Sequence, residues 1–107
     1  MNIQPFNAQA KSLPVSVTAT ASTSTALPAL GAVVRIINEG PNVAFVSIGT
    51  GAQTATLPNA TPTATSTPIL AGTDISLCIA SDSIQNISAI CRSSGTAALT
   101  VQVGEGI

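Results

Sequence analysis

Apolar and polar residues alternate with a period of two along most of the chain. In "LPVSVTA" Leu13, Val15, Val17 and Ala19 face one way, and Pro14, Ser16 and Thr18 the other. In "DISLCIA" Ile75, Leu77 and Ile79 alternate with Ser76, Cys78 and Ala80. "GTAALTVQV" sets Ala97, Leu99, Val101 and Val103 against Ala98, Thr100 and Gln102. Runs at 33–38, 43–49 and 86–92 add three strands, with shorter candidates near 25–27, 52–57 and 67–70. Proline occurs at 5, 14, 28, 41, 58, 62 and 68 and glycine punctuates much of the rest, and no segment between them holds a 3.6-residue apolar stripe that would build a helix. Eight or nine short strands with frequent turn signals predict an all-β chain, an antiparallel β-sandwich or barrel.

The stretch "VVRIINEGPNVAFVSIGTG" departs from simple alternation. "NEGPN" reads as a five-residue connection, with Gly40 free to take positive φ and Pro41 fixing the exit. Pairing Ile37 with Val43 across it places Val34, Ile36, Ala44, Val46 and Ile48 on a core face. The other face then holds Val33, Arg35, Ile37, Val43, Phe45 and Ser47, where a solvated face would be mostly polar. Two explanations stand. The Phe45 ring is covered by a loop or by the N-terminal arm, with Arg35 laid over it. Alternatively, Val33, Arg35, Ile37, Val43 and Phe45 form a contact patch, because contiguous apolar surface marks interfaces.

At 107 residues the chain supports one core. Residues 1–12 read as an N-terminal arm, with Pro5 and Phe6 its one sticky point, and 13–107 as a single β-sandwich domain. Only 2% of residues are aromatic and 7% charged, so Val, Ile and Leu must fill the core, and Thr, Ser, Asn, Gln and Ala must cover it. Weak self-repulsion favours a partner or self-assembly. The net charge of −1 lacks the basic footprint of a nucleic-acid binder. No stretch reads as a secretory signal or reaches the ~20 apolar residues of a membrane helix, so no membrane partner and no export are expected. "TATASTSTALPALG" and "GAQTATLPNATPTATSTP" read as long surface loops, or as loops that order on a partner.

Candidate chemistry is sparse. The chain has no His, the commonest general base and metal ligand. Glu39, Asp74, Asp82 and Glu105 stand singly beside turns, without the ligand spacing of a calcium loop. Cys78 and Cys91 read as two free thiols. Placing Ile87, Ala89 and Cys91 on the core side with Ile75, Leu77 and Ile79 turns Cys78 the other way, and a slip joining the sulfurs buries Arg92. No phosphate loop or aromatic sugar platform is visible. The expectation is a non-enzyme without cofactors or metal sites.

The order of motifs resembles small structural proteins of tailed-phage and prophage morphogenesis clusters. The residues that carry it are the strand ending at Asn38, the turn "EGPN", "VAFVSIGTG", "STPILAGT", and the closing "GTAALTVQVGEG". The likeness covers most of 33–106 and is weak before Ser12; the Thr/Pro-rich loop at 57–67 is longer than the pattern requires. It implies a jelly-roll-like sandwich and a capsid decoration (cement) protein that stabilises the head shell. Its partners would be itself, as a dimer or trimer, and the major capsid protein. Its place would be the capsid surface of a virion assembled in the bacterial cytoplasm. Alternatives are a tail, head-fibre or receptor-binding virion component, or a non-viral β-sandwich binding module.

Overall fold

The computed structural model describes residues 7–8, 12–58, 66–79 and 83–105. Among these residues nine strands follow in order: β1 (Asn7–Ala8), β2 (Leu13–Val17), β3 (Thr25–Ala26), β4 (Val33–Pro41), β5 (Ala44–Gly49), β6 (Thr67–Ile69), β7 (Thr73–Cys78), β8 (Asn86–Cys91) and β9 (Ala97–Glu105). One sheet runs β1-β9-β4-β7, with β2 beside β1 along the same edge of β9; the other runs β3-β8-β5-β6. β1 and β2 thus occupy the same position in the sheet, and each sheet is four positions wide. Every pairing is antiparallel.

The pairings nest. β2 meets β9, β3 meets β8, β4 meets β7, and β5 meets β6. The chain is one long hairpin, tipped between β5 and β6, rolled so that β9 also joins β4 and β8 joins β5. This is a jelly roll. Between its sheets lie Val17, Leu27, Val34, Ile36, Ala44, Val46, Ile69, Ile87, Ala89, Cys91, Ala97, Leu99, Val101 and Val103. The period-two reading places the strand residues on the correct side, Ile69 excepted because no facing was assigned to it, since one face of every strand must leave water. Among the described residues, no ring enters this cluster. β-branched chains fill the gap between the sheets, which suits stiff rotamers on a pleated surface.

The hairpin expected at Val33–Gly49 does not form. β4 and β5 lie in different sheets, so "NEGPN" is a corner that carries the chain from one sheet to the other. Asn38 holds it and is fully buried. Its Nδ2 donates to the carbonyls of Asn42 (3.0 Å) and Ile69 (2.8 Å), while its Oδ1 accepts from Gly40 N–H at 2.7 Å. The Asn38 carbonyl accepts from Gly72 N–H. Gly40 has φ +84°, a left-handed conformation that costs other residues a Cβ clash. Asn42 then bonds Thr96 twice, N–H to carbonyl at 3.1 Å and Oδ1 to N–H at 3.0 Å. The corner thus ties β4, β6 and the start of β9 together.

Candidate interaction surfaces

The proposed patch is divided. By alternation Val33, Arg35 and Ile37 lie on the outer face of the β4 sheet, and Val43 and Phe45 on the outer face of the β5 sheet, on the opposite side of the sandwich. The inward set Val34, Ile36, Ala44, Val46 and Ile48 stands as expected, but the outward set is two half-sets. Phe6 lies outside the described residues. Val33 and Phe45 are each only 6% exposed, so neither offers a free apolar surface. The ring has its cation, but not the expected one. Arg92, not Arg35, sits over Phe45 at 5.0 Å from the centroid, and Ile90 and Pro68 flank it on neighbouring strands. Arg35 is bound to Asp74 at 3.0 Å across β4 and β7. That pair is about half exposed, and such pairs contribute ~0–1 kcal/mol.

A strap lies over part of that outer face, at Ser47 and Ser88. Residues 52–57 form no strand, contrary to their alternation. They cross β5 and β8 instead, held by serines. Ser47 Oγ donates to Gln53 Oε1 (2.8 Å), Gln53 N–H to Ser24 Oγ (2.9 Å), and Ala55 N–H to Ser88 Oγ (3.1 Å). Ser88 Oγ donates onward to the Ser22 carbonyl at 2.8 Å. Gln85 Nε2 reaches Thr50 Oγ1 at 3.0 Å. Backbone amides thus find side-chain acceptors where a strand would find carbonyls. Ser66 Oγ closes the strap's far end on the Thr56 carbonyl. Ser88 is completely buried here and Ser47 nearly so, which explains polar residues on a covered face.

Among the described residues, one edge of the sandwich is left open. β6 has three residues and β7 has six, so β6 cannot cover the inward side chains of its counterpart. Ile75, Leu77 and Ile79 are half-buried, and a cleft of about 360 Å³ opens between Val46, Ile48, Thr67, Leu77, Ile79 and Gln85, with Cys78 at its rim. Sequence reasoning missed this cleft. The only signal for it was the brevity of "TPI" against "TDISLC". At the same end of the sandwich, Leu30 is 50% and Ile84 41% exposed, on the loops before β4 and before β8. Those loops touch, through Leu27 N–H to the Gln85 carbonyl and Ile79 N–H to the Ala32 carbonyl.

Cys78 is exposed and Cys91 buried, and both are free. They stand on β7 and β8 in different sheets, so they do not flank a hairpin, although the facing predicted for each is correct. Burial pushes the Cys91 thiol above its ordinary value. Asp74 is an ion-pair partner rather than a turn residue, and Glu39 accepts from Thr100 Oγ1 at 2.9 Å. Asp82 lies outside the described residues. Among the described residues, no three Cys, Asp or Glu side chains gather as a metal cluster would. No protein family, curated protein or solved structure matches the chain. The likeness to phage structural proteins rests on the quoted residues alone.

Proposed function

We propose that the protein is a virion structural component, a capsid decoration protein that stabilises the head shell of a tailed phage. The observation that carries this reading is where the resembling segments meet. "NEGPN", "PILAG" and "GTAALTV" are far apart in sequence, yet Asn38 and Asn42 bond Ile69, Gly72 and Thr96 in one corner. Three of the segments that carry the resemblance thus meet at one corner of this chain, which supports reading them as a single architectural unit. The jelly roll itself occurs in viral capsid proteins, and also in lectins and cupins, so the fold supports the reading only by analogy. Low charge and a surface of small polar side chains suit repeated contacts between identical copies.

The test is the mass of the purified protein in solution, followed by its addition to undecorated heads. The reading expects a dimer or trimer that adds stoichiometrically and raises the temperature at which heads disrupt. A monomer that ignores heads refutes it; binding to tails or to host glycans instead assigns the tail, receptor or non-viral alternatives.

A further inference from the structure

Two rows of side chains share the outer face of the β3-β8-β5-β6 sheet at the end where the Asn38 corner sits. β5 pairs Phe45 with Pro68 on one side and Ile90 on the other, which sets these three abreast. Ala44 pairs with Ile69 and Cys91, so the same register, continued by one residue, sets Val43 between Leu70 and Arg92. Neighbouring strands lie about 4.8 Å apart, and same-face residues along a strand about 7 Å, so the two rows are contiguous. Phe45 is buried, Val43 and Ile90 are half-buried, and Pro68, Leu70 and Arg92 are exposed, Leu70 at 61%. The strap's anchors, Ser47 and Ser88, lie farther along the same strands.

Arg92 lies over the Phe45 ring, and among the described residues no carboxylate meets it; the ion pair there is Arg35 with Asp74. None of the chain's four acidic side chains is placed to neutralise it. Asp74 is taken by Arg35, and Glu39 bonds Thr100 on the other sheet. Glu105 ends β9, about 26 Å of strand from Ala97, and the last two residues follow it. Asp82 attaches through Ser83 ahead of Asn86, and about 20 Å of strand separates Asn86 from Arg92. Residues 59–65, "NATPTAT", which lead toward β6, are uncharged. A guanidinium stacked on a ring keeps the planar edge whose donors match a carboxylate.

We infer that this face docks a partner protein through a carboxylate set between aliphatic side chains, the acid on Arg92 and the aliphatic groups on Leu70, Val43 and Ile90. Charge selects that occupant. A second copy docking by the same face would oppose Arg92 to Arg92. A nucleic-acid backbone would meet one cation among aliphatic groups, in a chain of net charge −1. Arg and aromatic side chains are the types most enriched at the centres of protein interfaces. The partner's chemistry follows from this face alone, whether or not it belongs to a head shell.

The test titrates the ¹⁵N-labelled full chain with the end-capped peptide Leu-Ser-Glu-Ser-Leu, whose leucines and glutamate share one face when extended. Twins carry Gln or Lys in place of the Glu. Amide shifts centred on residues 43–45, 68–70 and 90–92 are expected, with the Glu peptide bound roughly fivefold more tightly than the Gln twin and the Lys peptide weakest. Arg92→Gln should remove the difference between the Glu and Gln peptides, and Arg92→Glu should turn the preference toward Lys. Leu70→Ser should weaken all three alike. The wild-type series decides by itself if a variant fails to fold. Equal affinity for the three peptides, shifts centred elsewhere, or no shift up to ~5 mM peptide, enough to load a site of ~1 mM Kd, overturns the docking face. Self-association of the protein alone that Arg92→Gln abolishes assigns the carboxylate to a second copy and overturns the foreign partner.

Discussion

Replacing Asn38 with alanine should cost more stability than its single amide suggests. The side chain serves three backbone groups, and two of them, Ile69 C=O and Gly40 N–H, lie in buried residues. The third, Asn42 C=O, belongs to an exposed residue where water can replace the amide. A buried group left without a partner costs ~1–3 kcal/mol, so Asn38→Ala should lose about 4 kcal/mol. With a urea slope near ~1.5 kcal/mol/M, the midpoint should fall by roughly 2–3 M at unchanged slope. Asn38→Asp keeps the shape and the bond from Gly40, but turns a second oxygen toward two carbonyls. Its carboxyl should therefore have a folded-state pKa above the usual ~3.9. A raised pKa means that the folded state holds the proton more tightly. The Asp variant's deficit should be full at neutral pH and shrink as pH falls through that raised value. Urea titrations at pH 7 and pH 4.5 measure both effects. A loss under ~1 kcal/mol for the Ala variant, or a pH-independent deficit for the Asp variant, refutes the account of the corner.

Phe45→Ala should cost about 3 kcal/mol in thermal or urea unfolding, since the ring is buried on an outer face, whereas an exposed contact residue would cost little. Ser88→Ala should lose ~1–3 kcal/mol by stranding Ala55 N–H and the Ser22 carbonyl, and amide exchange at Ala55 should accelerate while that of Val101 does not. Stability should fall above the ordinary thiol value of 9.0, because the unfolded state then ionises Cys91 before the folded state does. Cys91→Ala should flatten that alkaline slope, seen as a smaller difference between urea midpoints at pH 8 and pH 10.

Strand positions and facings were legible because a single physical rule, one face wet and one dry, governs each strand by itself. Ile87, Ala89 and Cys91 could be assigned inward without knowing which strand they faced. Partner choice was not legible by that rule. Val33–Gly49 satisfies a hairpin register and a sheet-crossing corner equally well, and what decides is Asn38 meeting Ile69, a contact between distant segments. The patch at Val33, Arg35, Ile37, Val43 and Phe45 inherited that error, since its members share a surface only if β4 and β5 are neighbours. Charge substitution at Val33 or Phe45 would now be expected to disturb folding rather than report on a partner. The strap at 52–57 imitated a strand because alternation registers burial on one side, and a segment lying on serines is buried on one side too. The cleft arises from unequal lengths of β6 and β7, which no local pattern encodes.

The nested pairing also sets how the molecule must come together in time. Among the four nested pairs, only β5 and β6 are near neighbours along the chain, across positions 50–66; Leu13 meets Val101 only after everything between has been drawn in. Each outer pair closes a longer loop than the one inside it, although the added entropy grows only logarithmically once the inner pairs exist. Refolding should therefore take milliseconds to seconds, the regime of β topologies dominated by non-local contacts. The tip would nucleate it and β2 with β9 would finish it. Until that last pairing forms, the long apolar edge of β9 is open to any other chain still folding nearby, so yield on dilution from denaturant should fall steeply with concentration even though the finished jelly roll is stable.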